Sequence, residues 1–179
     1  ALLTQILEDE KAVHGDGTPP VASAQFHLGY ALVLSGQLRT GLEHLRVGQE
    51  ALERLTPDDH QDHLMRRITI AAAYNTSRLP EHALHTLNEA NRAARAAGVD
   101  VDQSPLRLIR CSVLIRLGLF AEAAAEYRAL ETIIARAPPL EQARASTGLA
   151  LLARLEGRAT DAVTAANSAI ASAEKLPLM

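Results

Sequence analysis

With 179 residues, of which 47% are apolar but only 3% aromatic and none Trp, the chain is long enough for a continuous core built from small aliphatic side chains. A net charge of −3 from 21 acidic and 18 basic residues argues against a general nucleic-acid or membrane-surface role. No apolar run approaches the ~18 residues of a membrane span, and the single Cys111 excludes an internal disulfide framework and a Cys-based zinc site.

Much of the apolar content is Ala, the strongest helix former, so an all-α chain of moderate stability is expected. Sixteen of the 18 basic residues are Arg, with only Lys11 and Lys175 beside them, a usage that goes with a GC-rich bacterial genome. The start, Ala1-Leu2-Leu3-Thr4-Gln5, lacks the basic flank of a signal peptide, so a cytoplasmic location is expected. It also lacks Met, which suggests a piece excised from a larger protein.

In chain order, residues 2–14 read as an amphipathic helix with Leu3, Ile6 and Leu7 on one side, ended by the breakers from Gly15 to Pro20. A first hairpin follows, helices 21–35 and 38–55, with Leu28, Leu32 and Leu34 on one and Leu42, Leu45 and Leu52 on the other. Thr56-Pro57-Asp58-Asp59 stops it, with Thr or Asp as the cap of the next helix. The second hairpin is 60–77 with 80–97, Pro80 suiting a first helical turn and Gly98 a C-terminal cap. Asp100, Asp102 and Ser104 are candidate caps in the connector. The third hairpin is 105–117 with 120–136, and the fourth, beyond Pro138 and Pro139, is 139–156 with 159–175.

These hairpins are copies of one unit. Each carries a turn residue (Gly36, Arg78, Gly118, Gly157) and, five places on, a small residue (Gly41, Ala83, Ala123, Ala162). The small residues lie 42, 40 and 39 apart, and a fixed internal period in this range is the mark of stacked helical hairpins. One domain over 1–179 is expected, with a leading helix at 1–15 and repeats at about 21–57, 58–99, 104–138 and 139–177.

Within each copy the spacing resembles the tetratricopeptide repeat. The family pattern is a bulky residue, then Leu-Gly and Tyr, with Ala, an aromatic and Ala in the second helix. Its counterparts are Gln25, Leu28-Gly29, Leu32, Gly41, Leu45 and Gly48 in the first copy, and Arg67, Ile70-Ala71, Tyr74, Ala83, Leu87 and Ala90 in the second. The third has Arg107, Arg110-Cys111, Leu114, Ala123, Tyr127 and Leu130, and the fourth Ser146, Leu149-Ala150, Ala153, Ala162, Ala166 and Ala169. The bulky place is polar in every copy, Arg110 stands where Leu is expected, and the period exceeds the usual 34 of the family. The long repeat looks like the variety found in large bacterial transcriptional regulators.

This resemblance implies a right-handed α-solenoid of about four antiparallel hairpins plus the N-terminal helix. It also implies that the first helix of each hairpin lines a concave groove holding a protein or peptide segment. Groove candidates are then Phe26, Tyr30 and Leu34; Met65, Ile68, Ala72, Asn75 and Thr76; Leu108, Ser112, Ile115 and Arg116; and Arg144, Thr147, Leu151 and Arg154. Asn75 would hold a peptide backbone, and Arg116 and Arg154 a carboxylate. The Asn-and-Lys clamp of chaperone-binding members is absent, because the groove has no Lys. Two further readings stay open: a pocket that senses a small effector, and a homodimer through the terminal helices, since the last helix carries small residues nearly all round.

His60 and His63, three apart with Asp59 beside them, have the spacing of a transition-metal pair, and His82 and His85 repeat it. A solvated helix start with dipole-stabilised acids accounts for the same residues, so no metal or other cofactor is expected. Asp100-Val101-Asp102 lacks the Gly and closing Glu of a calcium loop. There is no phosphate loop and no Gly-x-Ser-x-Gly elbow, and Cys111 has no His companion, so no catalytic residue is assigned and no enzyme is expected.

Overall fold

A computed structural model describes residues 2–99, 104–134 and 138–176. Among them lie nine α-helices and no strand: α1 (Leu2–His14), α2 (Pro19–Leu34), α3 (Leu38–Leu55), α4 (His60–Thr76), α5 (Pro80–Ala96), α6 (Ser104–Arg116), α7 (Phe120–Ile134), α8 (Pro139–Leu155) and α9 (Ala159–Ala173). The chain divides into two compact units, Ala1–Val101 with α1 to α5 and Asp102–Met179 with α6 to α9. In each, helices that follow one another in sequence pack together. First helices of successive hairpins also touch, α2 with α4 and α6 with α8. Each unit is therefore a stack of helical hairpins, the arrangement of an α-solenoid.

The four hairpin turns share one construction. Gly36, Arg78, Gly118 and Gly157 all adopt positive φ, at 84°, 60°, 76° and 75°. The N–H of each turn residue donates three residues back, and the next N–H donates five back, as in Gly118 to Ile115 at 3.1 Å and Leu119 to Leu114 at 2.9 Å. These are the two bonds of a Schellman motif, which satisfy carbonyls the ending helix leaves open. The residue after the turn then accepts the first bond of the second helix: Gln37 from Gly41, Leu79 from Ala83, Leu119 from Ala123 and Arg158 from Ala162. The five-residue spacing read in the sequence is thus the length of one left-handed residue plus one opening helical turn. Gly98 ends α5 in the same way, with φ 71° and Val99 N–H bonded to the Ala94 carbonyl.

Small residues stand where backbones meet. A Cβ on Gly29 would lie 2.5 Å from the backbone nitrogen of Leu45, and one on Gly41 would lie 2.8 Å from the Gly29 carbonyl oxygen. A Cβ on Gly48 would meet the Phe26 nitrogen at 2.7 Å. The same positions in later copies carry Ala71, Ala83, Cys111 and Ala123, all with no exposed surface. Between them the core fills with Leu45, Leu87, Leu114, Leu130 and Leu152, and each fully buried Leu contributes roughly 1.5–3 kcal/mol. In α9 the pattern weakens, and Ala162, Ala166 and Ala169 are only half-buried.

Two local expectations are corrected. Pro19 and Pro20 do not merely end α1; they occupy the first turn of α2, where a missing N–H costs nothing. Thr56 and Asp59 do not cap α4 through their side chains. Thr56 Oγ1 donates back to the Leu52 carbonyl at 2.8 Å, while Asp59 pairs with Arg66. Of the proposed connector caps, Asp100 and Asp102 lie outside the described residues, and so does the Asp100-Val101-Asp102 stretch.

Arg78 is the one non-glycine residue with positive φ among the described residues. A side chain in that region costs about 1–2 kcal/mol, part of which glycine returns as chain entropy. Arg78→Gly is expected to raise unfolding free energy by about 0.5–1 kcal/mol and Gly118→Ala to lower it by about 1 kcal/mol, as measured by urea denaturation. Gly29→Ala has backbone rather than a movable side chain in its way, so a loss of about 1–3 kcal/mol or more is expected in the same assay.

Candidate functional site

The predicted groove residues separate into two classes by burial. On α2, Tyr30 and Leu34 are 42% and 68% exposed, whereas Phe26 is 5% exposed and packs with Ala22, Val33 and Leu45. On α4, Met65 and Thr76 are exposed and Asn75 and Ala72 half-buried, whereas Ile68 is buried. On α6, Arg116 is exposed and Ser112 half-buried, whereas Leu108 and Ile115 are buried. On α8, Arg144, Thr147, Leu151 and Arg154 are all exposed.

Phe26, Ile68, Leu108 and Ile115 are therefore core residues and not groove lining. The physical reason is that a first helix is covered from several sides. Besides its own partner α3, α2 meets α1 and α4; besides α5, α4 meets α3 and α2. Only a narrow stripe is left to solvent, at the places of Tyr30 and Leu34 and their counterparts. The first unit thus brings Tyr30, Leu34, Met65 and Thr76 onto two touching helices, with Asn75 half-buried at their ends. The second unit gathers Ser112 and Arg116 with Leu151 and Arg154 on α6 and α8. Several hydroxyls along these stripes are turned inward. Thr76 donates to the Ala72 carbonyl, Ser112 to Ile109 and Thr147 to Ala143, at 2.8–2.9 Å.

A feature that sequence reasoning missed lies in the first unit. The last turns of α3 and α5 and the first two turns of α4 enclose an open cleft of about 200 Å³. Its charged wall is the pair Glu53 and Arg67, 2.6 Å apart, and its apolar wall is Leu64, Ala90, Ala93 and Ala94. Glu53 Oε1 also accepts from Arg67 Nε at 2.7 Å and from the buried Gln49 amide at 2.7 Å. The available signal was Arg67 itself, a charge at the bulky place of the repeat. Its partner lies 14 residues back in another hairpin, beyond any helical spacing rule.

His60 and His63 both line this cleft, but they are not equivalent. His60 is exposed, whereas His63 is 9% exposed. His63 Nε2 lies 2.7 Å from the Thr56 carbonyl, and its Nδ1 lies 3.1 Å from Arg66. A carbonyl only accepts and a guanidinium only donates, so these two contacts fit the tautomer that carries its proton on Nε2. Arg66 in turn lies 3.4 Å from Asp59 and 3.3 Å from Asp62. Both nitrogens of His63 are occupied and Asp59 serves Arg66, so these residues are not set out as a metal site. Among the described residues no three His, Cys, Asp or Glu side chains are grouped to hold an ion. His82 stacks on Tyr74 at 5.5 Å, and His85 pairs with Glu89 at 3.4 Å.

The second unit holds a half-buried charged cluster at the departures from the repeat pattern. Glu126 on α7 lies 2.7 Å from Arg107 and 3.1 Å from Arg110, so the Arg in the expected Leu place is charge-compensated. Cys111 beside it is fully buried, and burial, with the Glu126 charge, pushes its thiol up to about 12. Tyr127 is buried, which raises its phenol, and its hydroxyl fills the space that a side chain on Gly148 of α8 would occupy. None of these groups is an activated nucleophile, since reactivity follows the thiolate or phenolate form. No helix of the described residues is long and apolar enough to cross a membrane.

Cys111 is expected to resist iodoacetamide at pH 8 in the native chain and to react once urea unfolds it, read by mass spectrometry. Its folded-state value is raised, so the proton-linked stability is complete below the ordinary thiol value of ~8.5 and falls as pH climbs toward 12. Glu126→Gln leaves two half-buried guanidiniums without their shared carboxylate, and a loss of about 1–3 kcal/mol in a denaturant titration is expected.

Compared with known proteins, the chain matches no family model, and no curated protein matches it.

Proposed function

We propose that the chain is a tetratricopeptide-like interaction module that holds a protein or peptide segment along the open stripes of its first helices. The observation that carries this reading is the exposure of Tyr30, Leu34 and Met65. Three large apolar side chains stay at the surface of two touching helices, while Val21, Phe26, Leu28, Val33, Leu64, Ile68 and Ile70 on the same helices are buried. Aromatic and Met side chains on a firm helical face are the usual anchors of peptide recognition. Asn75 offers a donor and an acceptor for a peptide backbone, and Arg116 and Arg154 offer guanidiniums for acidic side chains. The reading places the chain in the cytoplasm as the docking portion of a bacterial transcriptional regulator, as the long repeat suggests, with no catalytic role.

Peptides selected from a displayed library against the intact chain provide the check. Their affinity is expected to fall at least tenfold for the combined Tyr30→Ala, Leu34→Ser and Met65→Ser variant, with the melting temperature nearly unchanged because these side chains are exposed. Undiminished binding by that variant refutes the stripe as the docking surface.

A second reading, a domain that senses a small effector, is favoured by one specific observation, the cleft walled by Glu53 and Arg67.

A further inference from the structure

The geometry points to a zwitterionic ligand in this cleft, a free α-amino acid with an aliphatic side chain. The inference rests on the effector-sensing reading and names its ligand class.

Charge comes first. Every donor that reaches Glu53 among the described residues falls on Oε1: Gln49 Nε2, Arg67 Nε and Arg67 Nη2. That leaves Glu53 Oε2 and Arg67 Nη1 without protein partners there. A carboxylate and a guanidinium locked together on one cleft wall present both signs of charge within a few ångströms. A simple anion meets the repulsion of Glu53, and a simple amine meets that of Arg67. A ligand carrying both charges satisfies both, its ammonium on Oε2 and its carboxylate on Nη1. Gln49 keeps this arrangement fixed. It is only 5% exposed, and its amide holds the carboxylate oxygen that Arg67 shares.

Helix polarity favours the ammonium: the C-terminal turns of α3 and α5, which line the cleft, supply negative ends. Size and the opposite wall set the side chain. A volume of about 200 Å³ lies below that of pockets for drug-sized molecules, roughly 300 Å³ and upward. Leu64, Ala90 and Ala94 are buried apolar groups that offer a side chain van der Waals contact and no hydrogen bond.

The test is an NMR titration of the 15N-labelled chain with L-leucine and L-valine, and with 4-methylpentanoate and isopentylamine as analogues lacking one charge. The amino acids are expected to shift the amides of Leu64, Ala90 and Ala93 saturably, with each analogue at least tenfold weaker. Glu53→Gln and Arg67→Gln are each expected to weaken leucine at least tenfold. Because either change can disturb folding, Ala93→Leu serves as a second variant. Its position is exposed, so it fills the cleft at unchanged melting temperature and is expected to abolish binding. No saturable shift by either amino acid, analogues that bind equally well, or retained binding in Ala93→Leu overturns the assignment. A neutral fragment or a peptide N-terminus that shifts these amides where leucine does not overturns the zwitterion and leaves the sensing reading standing. A fragment set in which nothing shifts them removes both.

Discussion

The structure depends on one residue per hairpin being able to turn left-handed. Gly36, Arg78, Gly118 and Gly157 each reverse the chain in a single step, and the next residue both closes one helix and opens its partner. With so short a turn the two helices have no freedom to separate, so their backbones meet within the first turns. Small residues at Gly29 and Gly41, Ala71 and Ala83, and Cys111 and Ala123 follow from that closeness. Turn geometry thus dictates side-chain size some five residues away, and the repeated spacing in the sequence is the trace of this coupling.

The same coupling explains what the sequence revealed. Gly, Pro and Ser mark helix ends through backbone chemistry that acts locally, so most helix boundaries were legible to within one or two residues. Pro19 and Pro20 were misplaced because proline is compatible both with ending a helix and with starting one. Burial was harder to read. Phe26 packs against Leu45 of its own partner helix, and Ile68 and Leu108 are buried as well, because each first helix also meets helices beyond its own hairpin. The cleft was illegible for a related reason: Glu53 and Arg67 belong to different copies, and no periodicity within one helix connects them.

The departures from the repeat pattern have a common physical meaning. Arg67 and Arg107 occupy the place where the family pattern has a bulky apolar residue, and both lie against a glutamate on a second helix, Glu53 and Glu126. A carboxylate shared by several donors replaces the packing that a large ring would supply. The exchange is not neutral, for it puts polar chemistry into the seams between helices where an aromatic core would be inert. In an aromatic-poor chain those seams are the places where specificity can be built.

The hairpin turn also sets how such a chain changes length. The turn has no spare residue, since the left-handed position and the opening bond of the next helix use all of it. Repeat length still varies, so the variation is absorbed in helix length and in the connectors between hairpins, such as Thr56 to Asp59. Insertion inside a hairpin breaks its closure, whereas insertion at a connector leaves both neighbours whole. The connectors are accordingly the places where added residues disturb least, since each hairpin is closed by its own turn.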